Sequence, residues 1–473
     1  MIKHPNADAT IRAEALICRL ESFRFSNDPV GVQTDFELAK QLFETMAPGP
    51  ERSDLLITFG EVSADAFTLQ QSKWQEALDA LDWVQERLHT ESPDLLETWR
   101  LDTARAVTQG YGGLMAQSYA IQTRLYREKS ASPDLLPLGS TSLITLAQRG
   151  ESKAARSLAR QQLSLAARNT KRHPLIVGDL VGAWCLGDML SGNLREASVV
   201  YGLLNVAIDR NPGNVRVRRT LVAFGRGLLA KAQGAWGTAV ENLELACSEL
   251  DDFSGTGSEG LLLASLALAQ AAVGDREGSE RSMQEYYVRS EQTSRLLEIP
   301  CRYSILLARL YFPTGGEMQE ARALVALARH HEFRLMEMLA LHAIVLTDPT
   351  GLTRAEDARL ALLATQVDAP LAPLLVASCE HIAEGGERGT GSAARALARR
   401  GLVIPFGRPI EGLTSREQQL AELLALGFSN AQISKRLVIS KRTTETHTAK
   451  VLQKLNVKSR DDVADALEQS ARR

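Results

Sequence analysis

Apolar residues recur at helical spacing along almost the whole chain. In TIRAEALICRLESF and TDFELAKQLFETM, near the N-terminus, they fall three and four residues apart, the face of an amphipathic helix. This predicts a helical N-terminal cap over residues 1–70. The greasiest run, LLLASLALAQAAVG (Leu261 to Gly274), is interrupted by Ser265 and Gln270 and is too short to span a bilayer. It predicts a buried helix. The alternation of strands and helices found in receiver-type α/β domains is missing, so the fold class predicted is all-α.

Superimposed on the helical period is a longer one. QRGESKAA, LSGNLREA, AQGAWGTA, AVGDREGS and TGGEMQEA each contain Gly-x4-Ala/Ser, and their glycines (Gly150, Gly192, Gly234, Gly274, Gly316) stand 42, 42, 40 and 42 residues apart. Such a unit reads as a helical hairpin. Glycine ends one helix, a second begins, and a small residue five positions on lets the two approach closely. One hairpin cannot bury its own apolar face, so neighbours stack into a solenoid. Looser copies precede at Ser72–Ala77 and after Gly110, and one follows at Gly351–Ala358. Repeats are expected over 71–400, then a Gly/Pro/Arg-rich linker over 401–412. The spacing resembles tetratricopeptide-type repeats, although their period is about 34 residues. A longer unit of this kind is found in the helical repeat domains of MalT-like regulators.

Charge divides the chain. The net charge is −3, but residues 412–473 hold 11 Lys/Arg and 7 Asp/Glu, a net of +4, which leaves −7 for the remainder. A basic tail on an acidic body points to a nucleic-acid partner for the tail alone. Five scattered cysteines (Cys18, Cys185, Cys247, Cys301, Cys379) without a CxxC pair imply reduced thiols and a cytoplasmic location, and no segment resembles a signal peptide or a membrane span.

The tail, predicted as a domain over 413–473, is dense in helix signals. TSRE (Thr414 to Glu417) and SNAQ (Ser429 to Gln432) are capping boxes, Gly427 closes the helix between them, Ser440 caps a third helix, and Ser459 with Asp462 caps a fourth. Val438 to Ser440 form the turn. The third helix has a core stripe at Thr444, Thr448, Val451, Leu452 and Leu455. The opposite face carries Arg442, Glu445, Thr446, Ala449 and Gln453. Seven basic residues and one acid lie between Ser429 and Lys458, a composition suited to a major groove flanked by phosphates.

LTSREQQLAELLALGFSNAQISKRLVISKRTTETHTAKVLQKLNVKSR resembles the LuxR/NarL/FixJ-type helix-turn-helix. Leu413, Thr414, Arg416, Glu417, Gly427, Ser429, Asn430, Ile433, Leu437, Ser440, Thr443, His447, Lys454 and Leu455 match that pattern at its spacing. Thr444 and Thr448 stand where the family carries aliphatic residues, and Ser434 where it carries alanine. A threonine hydroxyl can bond back to the carbonyl one turn earlier, so the substitution need not strand a donor. The resemblance implies base-facing positions at Glu445, Thr446 and Ala449. It implies phosphate-facing positions at Ser429, Asn430, Lys441, Arg442, Thr443, His447, Lys450 and Lys454.

No phosphate-cradling G-x4-GK[ST] loop occurs, adjacent His330 and His331 lack the spacing of metal ligands on a helix, and no nucleophile, base and orienting group assemble. Neither an enzyme nor a cofactor is expected. Arg219 with Arg226, and Arg302 with Arg309, repeat a spacing of seven and suggest either an anion-binding groove or a solvated basic face. The leading reading is a sequence-specific DNA-binding regulator whose repeats sense a small molecule or protein. Its expected partners are double-stranded promoter DNA, RNA polymerase and a second copy of the chain, and the resemblance implies activation. The alternative is a helical-repeat scaffold whose tail contacts the transcription machinery rather than DNA.

Overall fold

A computed structural model of the chain describes residues 8–22, 28–71, 73–91, 99–169, 176–209, 215–248, 258–290, 294–386, 388–389, 391–404, 410, 412–437 and 439–471. Among them are 24 α-helices and no strand, the all-α class expected. The expected N-terminal helices are α1 (Ala9–Ser22) and α2 (Pro29–Thr45), followed by α3 (Pro50–Gln71), α4 (Trp74–Glu91), α5 (Trp99–Gly112) and α6 (Met115–Lys129). The first four, with Leu101 of α5, share a core in which Phe36, Phe43, Phe59 and Phe67 pack against one another. Arg19 and Asp35 pair across α1 and α2.

The repeats follow as hairpins. They are α7 (Leu136–Arg149) with α8 (Ser152–Arg168), α9 (Ile176–Ser191) with α10 (Leu194–Asp209), α11 (Val215–Ala232) with α12 (Trp236–Cys247), α13 (Glu259–Ala272) with α14 (Arg276–Arg289), α15 (Glu298–Tyr311) with α16 (Glu317–His330), and α17 (Arg334–Thr347) with α18 (Arg354–Gln366). All five period-marking glycines adopt left-handed backbone, φ +67° to +85°, where a side chain would be strained. The small residues Ala155, Ala197, Ala239, Ser279 and Ala321 are all buried. Serine fits among the alanines because its hydroxyl donates to the Ala267 carbonyl at 2.8 Å. Every residue of α13 is buried, as its composition predicted. His330 and His331 lie edge to face at 5.0 Å beside Phe333, an aromatic packing cluster.

The solenoid curls tightly enough that α7 packs against α17. Gln148 donates to the Leu296 carbonyl at 2.8 Å, and Arg149 pairs with Glu332 at 3.2 Å. Asp368 N–H donates to the Gly150 carbonyl at 3.0 Å. Successive glycine turns are covered by successive later segments: Gly150 by Val367, Gly192 by Leu371, Gly234 by Val403 and Arg436. The four arginines read as an anion groove do not form an unopposed basic stripe. Arg219 and Arg226 are exposed on α11. Arg302 is held by Glu298 at 3.1 Å and Glu320 at 2.9 Å, and Arg309 stands 3.6 Å from Glu317. The carboxylates come from the same helix one turn earlier (Glu298) and from the second helix of the same hairpin (Glu317 and Glu320), which a spacing of seven among arginines does not reveal.

After α19 (Ala372–Ala383) and α20 (Gly391–Arg399), Leu402, Val403 and Ile404 are buried. Of the rest of the expected linker, residues 405–409 and 411 lie outside the described residues. The tail forms α21 (Ser415–Ala425), α22 (Asn430–Leu437), α23 (Lys441–Lys454) and α24 (Val463–Ala471). α22 rests on α12, and one apolar core runs from the repeats into the tail.

Candidate nucleic-acid interface

Four short-range devices set the geometry of the tail. Thr414 and Glu417 close a reciprocal box at the start of α21. Ser429 and Gln432 do the same for α22, with bonds of 2.8 and 3.3 Å. Ser440 accepts the Thr443 N–H at 3.0 Å and begins α23, and Ser459 with Asp462 boxes the turn before α24. Each satisfies backbone donors that a helix start leaves open. Gly427 (φ +77°) ends α21, and Asn456 (φ +54°) ends α23. Ile439 N–H donates back to Ser434 at 3.0 Å, which fixes the angle between α22 and α23. Val438 lies outside the described residues.

α23 buries Thr444 and Val451 against α21 and α22 and half-buries Thr448, Leu452 and Leu455. The two threonines behave differently. Thr444 Oγ1 donates to the Ser440 carbonyl at 3.1 Å, the back-bond expected of a buried threonine. The Thr448 hydroxyl is buried without a hydrogen-bond partner among the described residues.

The opposite face is open. Arg442, Glu445, Thr446, Ala449 and Gln453 are exposed, with Lys441 and Lys450 beside them. No described carboxylate pairs with Lys441, Arg442 or Lys450. Thr446 Oγ1 donates to the Arg442 carbonyl at 3.0 Å, so what it offers a base is a lone pair and a methyl group. Glu445 offers only acceptors and Ala449 only a methyl. Ser429 is exposed at the start of α22. Asn430 is half-buried there, its Oδ1 without a partner among the described residues. Thr443 is half-buried, its hydroxyl 2.7 Å from Ser440 Oγ. His447 is half-buried with Nδ1 unpartnered among the described residues.

Lys454, for which a phosphate contact is expected, also makes an internal tie. Its ammonium binds Glu417 at 2.6 Å and the Gly412 carbonyl at 3.0 Å, tying the end of α23 to the cap of α21. That ion pair, then the Thr414 N–H, hold the Glu417 carboxyl down at about 2. Three arginines also serve the interior, and sequence reading had not given them this work. Arg416 bonds Gln419 and the Leu437 carbonyl at the end of α22, and Arg460 bonds the Phe428 carbonyl. Arg436 stacks on the Phe428 ring at 3.9 Å. The signal available was weak: each sits beside a helix end whose carbonyls need donors. The outward charge of the module therefore rests on fewer groups than the composition suggested.

Residues 411–467 match the family described as bacterial regulatory proteins, luxR family. Similar curated proteins include the tetrathionate response regulatory protein TtrR of Salmonella typhimurium, 33% identical over 85 residues, which are 18% of this chain and 39% of that protein. The transcriptional regulatory protein DegU of Brevibacillus brevis is 37% identical over 57 residues, 12% of this chain and 24% of that protein. A nitrate/nitrite response regulator homolog of Haemophilus influenzae is 44% identical over 52 residues, 11% and 25% respectively. The chain thus spans less than two-fifths of the length of these relatives. Helix order, capping and family match agree: the C-terminal residues 411–467 are a LuxR-family helix-turn-helix domain.

Proposed function

We propose that the chain is a DNA-binding transcriptional regulator. α23 lies in the major groove, with Glu445, Thr446 and Ala449 toward the bases. Ser429, Asn430, Lys441, Arg442, Thr443, His447 and Lys450 meet the flanking phosphates. The observation that carries this reading is the open face of α23, where Lys441, Arg442 and Lys450 have no described carboxylate partner. Cations left in this state attract a polyanion, and base-edge groups between them can read sequence. A glutamate flanked by methyl groups favours cytosine N4 beside thymine methyls. The small reading surface of one module calls for a dimer on paired half-sites. Activation through RNA polymerase, and a cytoplasmic location, go with this role.

The repeat body is the sensor. Two of the named relatives carry tetrathionate or nitrate and nitrite response in their names. Only short segments of them match this chain, so their signals are not carried over to its body. The test is selection of a random duplex pool by full-length protein, followed by sequencing. One enriched motif with two half-sites supports the reading. No enrichment at low salt by either the wild type or a fragment carrying residues 401–473 defeats it and leaves the scaffold role.

A further inference from the structure

In the repeats from α7 to α18, the second helix of each hairpin packs on the first helix of the next, with one exception. α14 packs closely on α13 but only loosely on α15, where a gap opens between them. The gap is a groove of about 680 Å³, within the roughly 300–1,000 Å³ typical of small-molecule sites. Its walls are apolar: Met283, Tyr287 and Val288 from α14, and Phe312 just past α15. Tyr287 is 52% and Val288 69% exposed. The matching positions after the period-marking small residue are Arg329 and His330 in one neighbouring repeat, and Cys247 and Ser248 in the other. Exposed Arg329, His330 and Ser248 are ordinary surface; exposed tyrosine and valine together are not.

The charged groups in and beside the groove are balanced. Arg309 donates to the Gly315 carbonyl at 2.7 Å and stands 3.6 Å from Glu317, whose carboxylate accepts the N–H groups of Thr314 and Gly315. Arg276 pairs with Glu280 at 2.8 Å and lies 5.9 Å from the Phe312 ring centroid. Two arginines matched by two glutamates leave no net charge to neutralise an ionised ligand. A charged occupant would lose hydration without compensation. An uncharged, mainly apolar ring would gain contact with Tyr287 and Phe312 and could place an oxygen acceptor near Arg309.

The same stretch of chain reaches the DNA-binding domain. Tyr311, beside Phe312, packs against the apolar core that includes Leu420, Leu423 and Leu424 of α21, and Arg388 donates to the carbonyls of Leu310 and Leu346. We propose that the groove between α14 and α15 is the effector site of this protein, that it takes an uncharged apolar ring compound bearing an oxygen acceptor, and that the end of α15 relays its occupancy to α21. The proposal rests on the sensor reading above and names its site and ligand class.

The probe is Nile red, an uncharged ring dye with a carbonyl acceptor, titrated into full-length protein. Wild type should show saturable, blue-shifted emission that is insensitive to salt. Val288→Glu, at an exposed position, should keep the wild-type melting temperature yet bind about tenfold more weakly or worse. Val199→Glu, exposed on α10, should bind as wild type. Equal dye binding by all three proteins, or no saturable binding, overturns the site. A wild-type dimer that Val288→Glu converts to monomer, without dye binding, shows a second copy in the groove and overturns the ligand. The relay predicts that dye shifts wild-type DNA affinity by about threefold or more and leaves Val288→Glu unmoved; saturable dye binding with unaltered DNA affinity overturns the relay. Dye binding by a protein that selects no DNA defeats the regulator reading while the site stands.

Discussion

The repeat body and the outer face of α23 treat charge in opposite ways. In the body, several arginines are met by carboxylates from other turns and helices: Arg302 by Glu298 and Glu320, Arg322 by Glu356, Arg359 by Glu337, Arg149 by Glu151 and Glu332. On α23, Lys441, Arg442 and Lys450 have no such described partner. Arginine content alone does not mark a nucleic-acid surface. What marks it is cationic groups the fold leaves unneutralised, because only those can exchange counterions for phosphates.

The largest test of that contrast is DNA affinity. Arg442→Ala with Lys450→Ala should weaken binding about 10- to 100-fold near physiological salt and flatten the salt dependence by about two units of slope. Arg302→Ala with Arg309→Ala should leave the slope unchanged. Equal losses from the two pairs, in fluorescence anisotropy across a salt series, would break the comparison.

Lys454 sharpens it. As an internal tie, Lys454→Met should destabilise the tail by about 1 kcal/mol, a modest figure because the lysine is partly exposed. The salt slope for DNA should not move. A slope reduced by about one, with unaltered melting, would return Lys454 to the phosphate contacts.

A titration follows where the two regions meet. Burial pushes the Glu422 carboxyl up to about 7, against partial relief from the Gln418 amide at 3.0 Å. Tyr311 lies near it from the body. A carboxyl raised in the fold favours the protonated form. Its contribution is therefore complete below the unfolded value of about 4.3 and fades as pH rises through 7. The melting midpoint should drop by a few degrees between pH 5 and pH 8. Glu422→Gln should remove that part of the slope; identical profiles in variant and wild type would refute the assignment.

The smallest effect separates the two core threonines. Thr448→Val removes an unpartnered buried hydroxyl and should stabilise by up to about 1 kcal/mol. Thr444→Val gives up a satisfied bond and should change stability by less, in the same urea titration. A larger gain at Thr444 would contradict the bonding described.

Much of this was legible in the residues. Helix starts at Thr414, Ser429 and Ser440 depend on groups three positions apart, and the glycine period depends on one residue's freedom to adopt positive φ. Such local physics survives in a one-dimensional string. It gave the helical hairpins, the capped four-helix tail and the outward face of α23. What it could not give spans long separations. The curl that joins Gly150 to Val367 and Asp368, the approach of Arg436 to Gly234, the tie of Lys454 to Glu417, and the loose packing between α14 and α15 were decided by tertiary packing. Each depends on which distant surfaces meet once the hairpins stack, and residue spacing alone carries no record of that meeting.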